Sequence, residues 1–182
     1  MPTIAQAQRA VSSMGDEAAL RGELLGTLGD LREQLNTLIE MADRKLAAMR
    51  VADAQALHAL AAEEGRLVRE HYETDRRRRA CVARLAQQLP VAGARPRTLT
   101  EVAGLVPEPD ASRIRSHCEG LRRVAEMLQR KNRIVFRVAR DLHTHIGAVV
   151  ADVAMAQQEP AGYGPAGREL RRTRQLLVDA VG

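Results

Sequence analysis

Few residues of this chain could bind a metal or act in catalysis, and their spacing does not favour either role. His143 and His145 stand two apart, so on a helix they point to different faces, and no other histidine has a partner at ligand spacing. His71 lies between Glu70 and Glu73 in a run of charges that we interpret as a solvated helix surface. No phosphate-binding glycine loop or nucleophile elbow occurs. The sequence therefore predicts solvated histidines, no metal, no cofactor and no catalytic residues. We expect that the protein is not an enzyme.

The two cysteines, Cys81 and Cys118, are far apart and neither belongs to a CxxC pair. Cys118 falls on an apolar stripe, which predicts a reduced, buried thiol. No apolar run approaches the roughly 18 residues that span a bilayer, and the N-terminus shows no basic segment followed by an apolar one. We therefore expect a cytoplasmic protein without membrane insertion.

The chain is basic, with a formal net charge of +5. Aromatic residues make up only 2% of it, and motifs for stacking on bases are missing, so we expect no nucleic-acid partner. The four arginines Arg76–Arg79 would fan around a helix instead of focusing on one phosphate. A solvated run is the first interpretation of them, and a basic collar for an acidic partner surface is the alternative.

Apolar residues recur at steps of three and four along two long stretches, which places them on one stripe of each helix. Such narrow stripes are typical of packing between helices and leave little concave space for chemistry. We predict an all-α fold: an elongated antiparallel helical bundle of three long helices plus a short helix, with a flexible C-terminal tail. The first stripe comprises Leu24, Leu28, Leu31, Leu35, Leu38, Ala42, Leu46 and Met49, and the second Ile114, Cys118, Leu121, Ala125, Leu128, Asn132, Val135, Ala139, Leu142, Ile146, Val149 and Val153.

Capping residues mark where these helices begin. Asp53 is a good N-cap after a tight connection, which makes the first two long helices antiparallel neighbours. Thr98 or Thr100 can cap the short helix, and Asp110 or Ser112 can cap the last long one. We predict an N-terminal arm or short helix over 1–15, a bundle over 16–157 with helices at about 16–50, 53–89, 98–106 and 110–157, and a linker with an amphipathic tail over 158–182.

Two features of the second half could serve a partner. Asn132 interrupts the second stripe, either as a buried residue that fixes register or as a polar residue that solvent tolerates. After a turn-rich linker, the apolar residues Leu170, Leu177 and Val181 form a weak amphipathic segment. That segment can dock on its own core, stay disordered or engage a helix of a partner.

The order of elements resembles the FlgN-type flagellar export chaperones. The resemblance covers roughly residues 20–167. It rests on the long hairpin with its acidic link, on Thr-Leu-Thr-Glu at 98–101, on Arg-Lys-Asn-Arg-Ile-Val at 130–135 and on Tyr-Gly-Pro-Ala-Gly at 163–167. One departure is the basic charge, because small export chaperones are commonly acidic.

The resemblance implies a cytoplasmic chaperone that binds the C-terminal helices of hook–filament junction proteins, prevents their premature assembly and delivers them to the type III export gate. Its C-terminal region would contribute to binding the exported protein through Leu170, Leu177 and Val181. Tyr163 would contribute to docking at the gate, and Asn132 with Val135 to partner binding. The alternative is a self-associating structural or regulatory helical bundle, and a homodimer is compatible with either function.

Overall fold

In the computed structural model, the backbone is described over residues 4–88 and 98–156, and side chains over 15–88 and 98–155. Four helices occupy these ranges, and no strand occurs in them. The prediction of an all-α fold is confirmed. The helices are α1 (Ile4–Arg50), α2 (Ala54–Gln88), α3 (Leu99–Ala103) and α4 (Asp110–Ala156). Contacts divide the chain into two units, residues 1–139 and 140–182.

A three-residue connection joins α1 and α2 into a hairpin. Ala52 adopts a φ of 52°, in the left-handed region that commonly ends a helix. The Asp53 amide donates to the carbonyl of Ala48 at 3.0 Å, and the Ala56 amide donates to Asp53 Oδ1 at 2.9 Å. Asp53 is therefore the N-cap of α2, as the sequence predicts, and the hairpin reverses within one tight turn.

The main core of the first unit forms where all four helices meet. The middle of α1, the end of α2, α3 with Val106 just beyond it, and the beginning of α4 each contribute aliphatic side chains. Short α3 fits this space because Thr98 and Glu101 form a reciprocal capping box, which satisfies the amides of its first turn. The buried members of this core are Leu20, Leu24, Leu28, Cys81, Val82, Leu85, Val102, Ala103, Val106, Ala111 and Ile114.

A second, smaller cluster lies closer to the hairpin turn and consists of α1 and α2 residues alone. Met41, Ala48 and Leu60 are its buried members, with Leu57 and Leu67 packed partly against them. The hairpin is therefore held together at both ends, but α3 and α4 supply core residues at only one of them.

Three side-chain relationships set the register between α1 and α4. Arg21 Nε donates to Asp110 Oδ2 at 2.9 Å, and Lys131 forms an ion pair with Asp43. Between them, a Cβ built on Gly120 would lie 3.8 Å from Cδ of Arg32. The numbers of the two partners rise together, so α4 runs in the same direction as α1 and antiparallel to α2. Asp43 and Lys131 are 88 residues apart in sequence. At the same offset, Arg50, the last residue of α1, lies level with Val138 of α4.

Several element ends differ from the predicted ones. The first long helix begins at Ile4 instead of near residue 16, because a glycine such as Gly15 weakens a helix by only about 1 kcal/mol and does not have to end it. The first turn of α4 is capped by neither Asp110 nor Ser112: the backbone amide of Ser112 donates to Glu108 Oε2 at 3.1 Å. Hydrogen bonds from Ser112, followed by Arg115, hold the pKa of the Glu108 carboxyl below its usual range.

Candidate partner-binding surface

The histidines are not all solvated, which corrects the prediction. His58, His143 and His145 are exposed, but His71 and His117 are half-buried, and the Nδ1 atom of each is buried without a hydrogen-bond partner. The prediction was wrong for these two because each lies one helical turn from a buried residue, His71 from Thr74 and His117 from Ile114, and so shares the packed side of its helix. Within residues 4–88 and 98–156, no group of three or more His, Cys, Asp or Glu side chains could hold a metal ion.

Both cysteines are free thiols, but their environments differ. Cys81 is 1% exposed in the main core, whereas Cys118 is only half-buried and packs at the edge of that core. Burial raises the pKa of both thiols, and Glu23 adds to the effect at Cys81. A raised pKa keeps a thiol protonated at neutral pH, so neither cysteine has the character of a nucleophile.

The four consecutive arginines are held by acceptors on their own helix. Arg78 and Arg79 pair with Asp75 at 2.7 and 2.6 Å, and Arg77 donates to Thr74 Oγ1 at 3.1 Å. Burial alone would raise the pKa of Asp75, but the hydrogen bonds and charges of Arg78 and Arg79 outweigh it and lower that pKa. These contacts occupy the arginines within their own helix, which speaks against a basic collar; Arg76 and Arg79 are solvated, whereas Arg78 is half-buried.

The apolar stripe of α4 changes character along the helix. At its beginning Ile114 is fully buried, and Cys118, Leu121 and Leu128 are half-buried. Farther along, Ala125 and Asn132 are exposed, and Val135 and Ala139 are half-buried, so no stripe member after Ile114 is fully buried. The stripe is therefore continuous in sequence but is only partly used for packing within the first unit.

In the second unit, the same stripe is an exposed apolar surface. Steps of four, three and four place its members on one face of about three helical turns, with one further valine beside them. Apolar surface exposed in a contiguous patch is typical of an interaction site, whereas scattered apolar residues are not. We call this surface the α4 face; it comprises Leu142, which is half-buried, with Ile146, Val149, Val150 and Val153, which are 58%, 47%, 61% and 50% exposed.

The structure describes only two of the six residues that the sequence singled out for partner binding. Asn132 is exposed and Val135 is half-buried, three residues apart on α4. Of the two interpretations of Asn132, its exposure agrees with a polar residue that solvent tolerates and not with a buried residue that fixes register within this chain. Tyr163, Leu170, Leu177 and Val181 lie outside the described residues.

The residues that the sequence did not single out are those of the α4 face. Four of its members belong to the second stripe, which the sequence predicts to pack against other helices, and Val150 lies outside that stripe. A usable signal existed, because the second stripe extends over 40 residues from Ile114 to Val153, whereas the first extends over only 26 from Leu24 to Met49. Because the second stripe is longer than the first, some of its apolar residues have no apolar partner on the first long helix.

Across the described helices, none combines the length and the apolarity needed to cross a membrane. The α4 face is a row of exposed aliphatic side chains at the spacing that helix-binding surfaces use. Such a row recognises another amphipathic helix through anchors at i, i+3, i+4 and i+7.

Comparison with known proteins gives one match. The family model described as FlgN protein matches residues 14–171, which is most of the chain and includes all four helices in large part. Searches of curated proteins and of solved structures gave no match. The resemblance noted from the sequence is confirmed: the chain belongs to the FlgN family, whose members are flagellar export chaperones, not known as enzymes, that bind flagellar export substrates.

Proposed function

We propose that this protein acts in the cytoplasm on hook–filament junction proteins, whose C-terminal helices it binds before export. It thereby prevents their premature assembly and delivers them to the type III export gate. Membership of the FlgN family supports the general activity. The observation that supports this mode of binding is the exposed α4 face, whose apolar residues have the spacing of a helix-binding site.

The physical reason for such a chaperone lies in its substrates. Terminal helices of an unassembled filament component carry apolar stripes that associate prematurely when they are left in water. Covering such a stripe with Ile146, Val149 and Val153 removes aliphatic surface from water on both partners. Because the substrate helix orders as it binds, part of the gain is lost as entropy, and the complex stays releasable at an export gate.

Co-purification with candidate junction proteins tests the proposal. The wild-type chain should capture a candidate that has its C-terminal helix and should fail to capture the same candidate without it. Ile146→Asp places a charge in the middle of the α4 face and should weaken capture about 30-fold, the size of a hot-spot loss. Ala148→Asp is the matched control, because it adds the same charge two residues away on the opposite side of α4.

Equal capture by the wild type and Ile146→Asp would exclude the α4 face as the site. No capture of any candidate would favour self-association. The spacing of the α4 face is compatible with this alternative. The offsets of Leu142, Ile146, Val149 and Val153 are the same when read backwards, so two copies of the face can pair antiparallel. Mass measured over a range of protein concentrations distinguishes this alternative.

Docking at the export gate is the remaining part of the proposal. The resemblance assigns Tyr163 to it, a residue outside the described part of the chain. Tyr163→Ala should leave capture of the junction protein unchanged and reduce its export from cells. Loss of capture by this variant would instead place Tyr163 in the substrate site.

A further inference from the structure

The C-terminal tail repeats the apolar spacing of the α4 face. Relative to Leu142, the face has apolar residues at offsets of 0, 4, 7 and 11. Relative to Leu170, the tail has Leu170, Leu177 and Val181 at 0, 7 and 11, with Leu176 and Val178 on either side of Leu177 and Arg174 at the offset of 4. The tail can therefore present to the face three of the four anchors that an amphipathic helix of a substrate would present.

We propose that, in the free chaperone, residues 168–182 cover the α4 face and are displaced when an export substrate binds. The tail follows the α4 face along the chain, after the linker of 157–167. The α4 face is thus a shared site, for which the chaperone's own tail and the substrate compete. This proposal differs from a direct contact between the tail and the substrate, and the two make opposite predictions.

One antiparallel register pairs three apolar residues of the tail with three of the α4 face. It places Leu170 against Val153, Leu177 against Ile146, and Val181 against Leu142. The fourth layer sets Arg174 against Val149. An arginine is tolerated there because its aliphatic stem covers the valine while its guanidinium stays in water.

The charges of the two segments favour this pairing over pairing of two α4 faces. Residues 140–156 contain one arginine and two aspartates, so they are slightly acidic. Residues 168–182 contain four arginines, one glutamate and one aspartate, so they are basic. A second copy of residues 140–156 would bring charge of the same sign to the face, whereas the tail brings charge of the opposite sign.

The connection is long enough for the tail to return. Residues 157–169 separate the end of α4 from the first apolar residue of the tail and can span up to about 43 Å, whereas two packed helices need only about 10 Å between their axes. Two prolines and three glycines between 160 and 167 provide for a reversal of direction. A tether of this length gives an effective concentration on the order of millimolar, so even a weak site would be largely occupied.

The cover is weak enough to be displaced. A helix of about 15 residues is marginal on its own, so ordering the tail opposes docking. If the tail occupies the face about nine-tenths of the time, the apparent affinity for a substrate helix falls about tenfold. A substrate helix with an apolar residue at the position of Arg174 would gain the layer that the tail lacks, which provides a direction for the exchange.

The first test needs no substrate and uses the full chain. Amide hydrogen exchange over residues 142–153 should be several-fold faster in Leu177→Asp than in the wild type, because the variant uncovers the face. Gln175→Asp adds the same charge on the opposite side of the tail and should exchange like the wild type. Equal exchange in all three proteins would overturn the proposal, whether or not the α4 face binds a substrate.

A disulfide test identifies what covers the face. The pair Ile146→Cys and Leu177→Cys should crosslink within one chain under mild oxidation, and the control pair Ile146→Cys and Gln175→Cys should not. A crosslink only between chains would overturn the proposal in favour of a second copy. Equal crosslinking by both pairs, or by neither, would also overturn it.

The binding arm rests on the proposed function and is read separately. The probe is a peptide with the sequence of the C-terminal helix of a captured junction protein. Leu177→Asp should bind this peptide about tenfold more tightly than the wild type and Gln175→Asp. Unchanged or weaker binding would overturn the competition, and weaker binding would assign the tail to direct substrate contact.

Discussion

Arg21 of α1 and Asp110, the first residue of α4, form a hydrogen-bonded ion pair of 2.9 Å across 89 residues of sequence. Their side chains are 15% and 23% exposed, so the pair is shielded from water more than most surface pairs. Asp110 also lies at the N-terminus of α4, where a negative charge is stabilised by the helix dipole. The pair therefore anchors the beginning of α4 to the hairpin.

We expect Arg21→Ala to lower the free energy of unfolding by about 1–2 kcal/mol, because it leaves the Asp110 carboxylate partly buried with a weaker partner. Urea unfolding followed by circular dichroism measures this. Arg84→Ala is the control, since Arg84 pairs with Glu23 at 3.2 Å with both side chains at least half exposed, and should change stability by less than about 0.5 kcal/mol. Equal losses from both variants would contradict an anchoring role for Arg21.

Thr74 provides a buried polar contact between α1 and α2. It is 1% exposed, donates to the carbonyl of Glu70 at 3.0 Å, and accepts from Gln34 Nε2 at 3.1 Å. Thr74→Val keeps the shape but leaves the Gln34 amide without this acceptor, so we expect a loss of about 1–3 kcal/mol in the free energy of unfolding. Adding Gln34→Leu should recover much of it. If the double variant is less stable than Thr74→Val, the hydrogen bond is not the cause.

The glycines of α1 leave room for stabilisation. A Cβ built on Gly26 meets no heavy atom within 4 Å, and the residue is exposed in the interior of the helix. Gly26→Ala should raise the free energy of unfolding by about 1 kcal/mol. The reverse change at an exposed alanine of the same helix, Ala19→Gly, should lower it by a similar amount, and thermal unfolding compares the two. A destabilised Gly26→Ala would mean that the open space is occupied in solution.

The pairing of Asp75 predicts a pH dependence. Its pKa is lower in the folded chain than in the unfolded one, so the stabilisation is present above the unfolded value of about 3.9 and is lost as the pH falls through the folded value. Asp75→Asn should therefore be less stable than the wild type by about 1 kcal/mol at pH 7, with the difference vanishing in stronger acid. Glu73→Gln, at a residue whose side chain is 72% exposed, should differ little from the wild type at any pH.

The exposure of Asn132 allows binding to be separated from stability. Asn132→Ala should leave the free energy of unfolding within about 0.5 kcal/mol of the wild type, as is usual for an exposed residue without a buried partner. If Asn132 contacts the substrate, as the resemblance implies, the same variant should weaken co-purification with a junction protein. Unchanged co-purification would remove Asn132 from the binding surface.

Local features of the sequence predicted most of the fold. The period of three and four predicted the helices, Asp53 predicted the hairpin, and Thr98 or Thr100 predicted the start of α3, where the structure selects Thr98. Each of these signals depends only on residues a few positions apart in the sequence. They can therefore be recognised without knowing which helices pack together. The cap of α4 was missed because Glu108 precedes a proline and reaches its partner from outside the helix.

The sequence by itself determined that this protein is a set of amphipathic helices, since apolar spacing and capping are local properties of the chain. Only the tertiary structure decided which part of the second stripe is used for packing. Arg21, Arg32 and Asp43 fix the register of α4 on α1 through partners 88 or 89 residues away, and a local pattern carries no information on such distances. Ile114 and Ile146 therefore look equivalent in the sequence, yet the first is fully buried and the second is 58% exposed, available to another helix.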